Sequence, residues 1–229
     1  MTAARAGTGG TMTNGVLFDL DGTLVDTAYL HTVSWWQAFR QYQRDVEMAM
    51  IHRAIGMGRD RIIDHLLGPD HDRYDDDNIR AAHTSLYAQY WWRVRPTPGA
   101  RELLQAVDER GLRAVIASSA SRTELEIMLI ALDAHDFVDT ATSLDDAGAS
   151  KPAPDIIQVA LARTGLSPEE AVFIGDSVWD VYAAGALAIP CIGLTCGGIS
   201  AAELLKAGAV RVYDHPRALL EAGDGALSR

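Results

Sequence analysis

Gly15-Val16-Leu17-Phe18-Asp19-Leu20-Asp21-Gly22-Thr23 is the stretch on which the fold turns. The apolar run Gly15 to Phe18 reads as a buried strand. Two acids follow it, two residues apart, and then Gly22, which lets the chain turn tightly. Similar short apolar runs recur at Ala114 to Ala117, Phe137-Val138, Ala171 to Ile174 and Cys191 to Leu194. Helix-like stretches lie between them, at Ala100 to Arg110, Thr123 to Leu132, Pro154 to Thr164 and Ala201 to Ala207. Strands alternating with helices predict an α/β core with a parallel sheet covered on both faces. Ligands of such sheets sit beyond the carboxyl ends of the strands, and here those ends carry Asp19, Ser118 and Asp176.

The segment from Thr27 to Arg95 follows another pattern. No convincing strand occurs in it, and helices are predicted near Leu30 to Tyr42, Val46 to Ile55, Asp60 to Leu67 and Asp77 to Trp92. Asp75-Asp76-Asp77 suits a helix start, where carboxylates meet free amides and the positive end of the dipole. Pro96-Thr97-Pro98-Gly99 ends the helical run. The expected organisation is therefore a tail over 1–14, a catalytic core over 15–26 and 96–229, and a helical cap over 27–95. The joints near Val25-Asp26 and Arg95-Pro96 would act as its hinge.

Composition narrows the function. The 229 residues are 48% hydrophobic and 22% charged, ordinary for a soluble globular chain. A net charge of −11 argues against nucleic acid as a partner. No apolar run approaches the ~18 residues of a membrane span. Cys191 and Cys196 lack a zinc-ligand spacing and read as reduced thiols of a cytoplasmic protein. Chemistry that needs a lysine has only Lys151 and Lys206 to draw on.

Phosphoryl transfer gives the paired acids a rationale. An ionised aspartate is a competent nucleophile, and a second one can carry the proton of the leaving oxygen. Like charges ~4 Å apart repel by about 4 kcal/mol at an effective dielectric of about 20, so the site also requires cations. Lys151, ahead of Pro152, supplies one, while Asp176 and Asp180 offer hard oxygens for Mg²⁺. Ser118 and Ser119 offer hydroxyls to a phosphate oxygen.

Together, Asp19-Leu20-Asp21-Gly22-Thr23, Ser118, Lys151-Pro152 and Gly175-Asp176-Ser177 with Asp180 occur in the order of a known family. The chain resembles the haloacid dehalogenase superfamily, in the branch of phosphoglycolate phosphatase-like and β-phosphoglucomutase-like members, over roughly residues 15 to 215. The resemblance implies a Rossmann-like parallel-sheet core with an inserted α-helical cap. It implies Asp19 as nucleophile and Mg²⁺ ligand, Asp21 as general acid/base and, through its carbonyl, a further ligand. Asp176 would be a metal ligand, Asp180 a partner behind the metal, and Ser118 and Lys151 phosphate-binding residues. Dehalogenases of the family lack the second acid, so Asp21 argues against that chemistry. Phosphonoacetaldehyde hydrolases need a cap lysine, and Thr27 to Arg95 has none.

The reading is then a phosphatase of a small phosphorylated metabolite, with a β-phosphoglucomutase-like enzyme as the alternative and a catalytically silent binding protein behind both. His31, Trp35 and Arg59, in Ile55-Gly56-Met57-Gly58-Arg59-Asp60, favour the mutase; the missing cap lysine and Gly175, where mutases carry an acid, favour the phosphatase. His31 and Arg59 are the cap's candidates for substrate contact. Trp35, Trp36, Trp91 and Trp92 are assigned to packing, with one of each pair able to face the cleft. A monomer or small homo-oligomer is expected.

Overall fold

A computed structural model describes residues 12–227. The tail expected over 1–14 lies mostly outside them. Asn14 is pinned: its backbone N–H donates to the Glu170 carbonyl at 2.8 Å and its amide to Glu170 Oε1 at 2.6 Å.

Six parallel strands form one sheet: β1 (Gly15–Phe18), β2 (Arg113–Ala117), β3 (Thr140–Thr142), β4 (Ala171–Gly175), β5 (Cys191–Leu194) and β6 (Arg211–Tyr213). Their order is β3-β2-β1-β4-β5-β6. The order reverses at β1, which pairs with β2 through Phe18 opposite Ile116 and with β4 through Phe18 opposite Ile174. That switch point is where parallel sheets open a crevice for ligand.

Ten helices accompany the sheet among the described residues: α1 (Ala28–Gln41), α2 (Met48–Ala54), α3 (Ile62–Leu67), α4 (Asp76–Ala88), α5 (Ala100–Glu109), α6 (Arg122–Leu132), α7 (Asp155–Thr164), α8 (Val178–Gly185), α9 (Ala201–Ala207) and α10 (Pro216–Glu221). None is long and apolar enough to cross a membrane. Alternation along each strand sorts the core into two layers. Val16, Phe18, Ile116, Val172 and Ile174 pack with Leu103 and Val107 of α5 and Met128 of α6. Leu17, Val115 and Phe173 pack with Ile156 and Ile157 of α7 and Val181 of α8.

Helices α1 to α4 build an apolar cluster of their own around Trp35, Phe39, Ile51, Ile63 and Ile79. The two chain segments that join them to the sheet body run side by side. Asp26 N–H donates to the Arg95 carbonyl at 2.9 Å, and Thr97 N–H to that of Leu24 at 2.9 Å.

Three local expectations need correction. Phe137 ends a short 3₁₀ turn (His135–Phe137) and packs against the core, and the strand is the next segment, Thr140–Thr142. β6 is a further strand, half-buried at the sheet edge, where no apolar run is required. α4 does start at the acidic run, with Asp75 at the N-cap and Asp76 and Asp77 in the first turn, but the Asp75 side chain makes no cap hydrogen bond; Asp76 is the buried acid, accepting from His71 Nε2 at 2.8 Å and lying 3.7 Å from Arg80.

Candidate active site

The loops after β1, β2 and β4 place their polar residues in one crevice because the three strands end level with one another. Asp19 N–H donates to the Ile174 carbonyl at 2.9 Å, which carries the strand pairing one residue further and fixes where its side chain emerges. Asp19, Asp176 and Asp180 are all buried, and one carboxylate oxygen from each lies within 4.8 Å of the others. Lys151 is fully buried among them. Its ammonium donates to Asp19 Oδ1 and pairs with Asp180 Oδ1 at 2.7 Å. Thr23 Oγ donates to Asp176 Oδ1 at 2.8 Å. Asp180 is aimed by its own helix: its Oδ2 accepts from Ser177 N–H at 3.1 Å and Ser177 Oγ at 2.6 Å, the reciprocal cap of α8.

This cluster carries uncompensated negative charge. Burial pushes the Asp19 carboxyl up to about 7, with Asp180 and Asp21 adding to the shift and Lys151 opposing it. Asp176 is raised well above the carboxylate range by burial and by the charges of Asp180 and Asp19. Burial alone would lower the Lys151 ammonium, but Asp180 and Asp19 overcome it and hold it above the ordinary lysine range. Three carboxylates against one ammonium suit a further cation. An all-oxygen donor set, with no imidazole or thiol in it, fits a hard ion such as Mg²⁺. Glycines make room around Asp176: a Cβ on either Gly22 or Gly197 would overlap its carboxylate.

Asp21 faces the other way, toward the helical insert. Its Oδ1 accepts from Thr27 Oγ at 2.6 Å and lies 3.0 Å from His31 Nε2. Burial would raise its pKa, but His31 and Thr27 outweigh that and lower it. His31 shows the converse shift: burial lowers it and Asp21 overcomes the loss, so its pKa is raised. His31 Nδ1 lies 3.1 Å from His83 Nε2, and the imidazole stacks on Tyr87 with centroids 3.8 Å apart. His83 is held well below the histidine range by burial and by the neighbouring His31 and Arg59.

A cleft with room for about 50 Å³ separates the two groups of residues. Asp19, Asp21 and Ser119 line it from the sheet side, and His31, Trp35 and Arg59 from the insert. The structure thus brings together the predicted Asp19, Asp21, Lys151, Asp176 and Asp180, with His31 and Arg59 across the cleft. Two details differ from expectation. Asp180 stands in the carboxylate cluster itself, while the side chain of Asp21 turns away from it. Of the two serines, Ser119 lines the cleft, with no hydrogen-bond partner for its buried Oγ among the described residues. Ser118 Oγ is buried and accepts from Ala120 N–H at 3.1 Å. Trp35 lines the cleft, stacked on His83 at 4.1 Å, whereas Trp91 and Trp92 border a separate hollow beside Ile130.

Thr23, Thr27, His83 and Glu124 are site residues to which the sequence assigned no role, although Thr23 stands in the opening motif. Thr27 was detectable, since it stands four residues before His31 on the same helix face. Glu124 sat in plain view as the last residue of the Ser121-Arg122-Thr123-Glu124 capping box, and it is buried where α6 meets the cleft.

A parallel α/β sheet with buried aspartates and one lysine at its switch point defines a hydrolase class built on strand-end carboxylates. The chain belongs to the haloacid dehalogenase-like hydrolase family, whose profile matches residues 16–194. It is 28% identical over 203 residues to a phosphoglycolate phosphatase of Yersinia pestis, covering 80% of this chain and 81% of that one. It is 28% identical over 187 residues to the pyrophosphatase PpaX of Bacillus pumilus, covering 79% and 82%. A hydrolase of known structure from Pseudomonas syringae superposes with a TM-score of 0.87 at 32% identity, over 92% of this chain and 97% of that chain.

Proposed function

We propose that the chain is a Mg²⁺-dependent phosphatase that hydrolyses a small phosphorylated metabolite through an aspartyl-phosphate on Asp19. The observation that carries this reading is the buried Lys151–Asp19 contact inside the Asp19, Asp176 and Asp180 cluster, with Asp21 beside Asp19 in the cleft and facing His31 of the insert. Asp19, Asp176 and the main chain of Asp21 would hold the metal, with Asp180 beside them. When bound, the ion would neutralise charge on the transferring phosphoryl group.

Each residue has a distinct task. Lys151 opposes the burial that raises the Asp19 carboxyl and holds its Oδ1, which leaves Oδ2 to attack phosphorus. The new oxygen–phosphorus bond forms as the bond to the leaving oxygen breaks. Asp21 and His31 share one proton between Oδ1 and Nε2, and that proton passes from Asp21 to the leaving oxygen. In the second step Asp21 takes a proton from water. The resulting hydroxide attacks phosphorus, breaks the bond to Asp19 and releases phosphate. Ser118 and Ser119 supply hydroxyl donors for the phosphoryl oxygens, and Arg59 meets an anionic group on the substrate.

The mutase alternative draws support from His31, Trp35 and Arg59 lining the cleft. One observation weighs against it. Gly175 has no space for an acid, because a Cβ there would overlap Asp180. The test is a panel of phosphorylated metabolites assayed for free phosphate with Mg²⁺ and with chelator, beside Asp19→Asn. Mg²⁺-dependent release that the variant abolishes is expected. Isomerisation of β-glucose 1-phosphate without phosphate release would select the mutase, and binding without turnover would select the silent protein.

A further inference from the structure

The loop between α2 and α3 docks on two core segments, and each adjoins an active-site residue. Gly56, at φ +100°, lies against Ser177, the neighbour of Asp176, where a Cβ would overlap the serine side chain. Gly58 lies as tightly against Ser150, the neighbour of Lys151. Its N–H donates to Ser150 Oγ at 3.1 Å. Two residues on, the Asp60 carboxylate grips the same serine at both ends. Ser150 Oγ donates to Asp60 Oδ1, and Ser150 N–H donates to Asp60 Oδ2 at 3.3 Å. Ser150 is fully buried and lies outside helix and strand; its carbonyl accepts from Ala153 N–H at 3.0 Å, while its N–H and hydroxyl are held from the insert. Arg61 Nε, 3.7 Å from Asp60 Oδ2, is the cation beside the carboxylate.

Other insert-to-core contacts reach different places. His52 Nε2 meets the Gly197 carbonyl at 2.8 Å, Trp179 Nε1 donates to that of Arg53 at 2.9 Å, and Arg53 Nε donates to Glu203 at 3.3 Å. Among the described residues, the hydrogen bonds from Gly58 and Asp60 are those that bind the insert to the residue preceding the lysine.

We infer that Asp60 is a positioning residue whose two-point grip on Ser150 couples docking of the helical insert to the placement of Lys151 against Asp19. With the insert docked, Ser150 is anchored and the ammonium is delivered to the nucleophile. With the insert displaced, Ser150 loses three hydrogen bonds at once, and Lys151 loses the anchor of the residue before it. The phosphoryl-transfer machinery is then complete only when the cleft is covered. The kinetic consequence rests on the phosphatase reading; the coupling itself does not.

Two measurements on the full-length protein test this. In steady-state assays with Mg²⁺, Asp60→Ala should lower kcat about tenfold to hundredfold, the range of a lost charge-assisted hydrogen bond. KM should move by less than about threefold, because the residue touches no substrate. Asp60→Asn, which keeps an oxygen for the Ser150 N–H, should recover most of kcat. The Asp60→Ala/Ser150→Ala double variant should be little worse than Asp60→Ala alone. Additive losses, or a loss confined to KM, would overturn the inference. The second measurement is amide hydrogen exchange, which needs no turnover. Exchange at Ser150 and Lys151 should accelerate at least about tenfold in Asp60→Ala, with β4 and the melting temperature, within about 4 °C, unchanged. Unaltered exchange at these amides would refute the latch even if the protein proved to be a phosphatase. Accelerated exchange without phosphatase activity would retain the latch and reject the assigned reaction.

Discussion

The two walls of the cleft solve opposite problems. On the sheet wall, Asp19, Asp176, Asp180 and Lys151 are buried charges, each with a partner, and Asp19 and Asp176 directly follow strands. On the insert wall, Arg59 is half-buried, and Trp35, Ile55 and Met57 are apolar. Fixed, desolvated charge suits a step common to all phosphate esters, whereas apolar and cationic surface suits the part of a substrate that differs between esters. The comparison teaches that a substitution on the sheet wall should strike kcat, and one at Arg59, Trp35, Ile55 or Met57 of the insert wall should strike KM.

That division can be broken from either side. The largest effect is expected at Asp21: Asp21→Asn should lower kcat by about 10²- to 10⁴-fold with little change in KM, as for loss of a general acid and base. Arg59→Ala is the counterpart, with an expected rise in KM of about tenfold to hundredfold and a nearly unchanged kcat. A kcat effect as large as that of Asp21→Asn would show that the two walls do not divide the labour.

Mg²⁺ sharpens the picture of the sheet wall. At ~100 times its dissociation constant, an ion bound only by the folded state adds about 2.7 kcal/mol, or roughly 5–10 °C in Tm for a chain of this size. Calorimetry should find that rise in the parent protein and lose it in Asp176→Asn. An equal rise in both would place the ion elsewhere.

The smallest effect belongs to the insert, at His71. Its Nδ1 and Nε2 face two acceptors, the Gly68 carbonyl at 2.7 Å and Asp76 Oδ1 at 2.8 Å, so both bonds form only when the imidazole is charged. The hydrogen bonds to Asp76 and Gly68 raise its pKa, while Arg73 opposes them and Asp64 lies 3.8 Å away. A raised folded-state pKa contributes stability that is complete below the unfolded value near 6.5 and lost as pH climbs through the folded one. His71→Gln should therefore lower Tm by about 3 °C at pH 5.5 and by less at pH 9. A constant difference across that range would show that the proton does not matter.

The same contrast explains what could be read from the sequence. Asp19, Asp21, Lys151 and Asp176 follow buried strands or stand beside prolines, and local patterns expose such positions. The interior strands β1, β2, β4 and β5 announced themselves as apolar runs because both of their faces are covered. β3 and β6 did not, since a half-buried edge strand such as Thr140–Thr142 tolerates polar residues. The insert's contacts were hidden for a different reason. His31 meets His83 across 52 residues of sequence, and Asp60 meets Ser150 across 90. Both pairings arise from how helices and loops pack against one another, and no spacing along the chain encodes them.

The central claim is that phosphoryl transfer passes through Asp19. A single-turnover reaction with Mg²⁺ and a hydrolysed substrate, quenched in acid and reduced with borohydride, tests it most directly, because reduction converts an aspartyl-phosphate to homoserine. Mass spectrometry should then find homoserine at position 19 in the parent protein and none in Asp19→Asn. Phosphate release with Asp19 unmodified, or homoserine at another aspartate, would contradict the account.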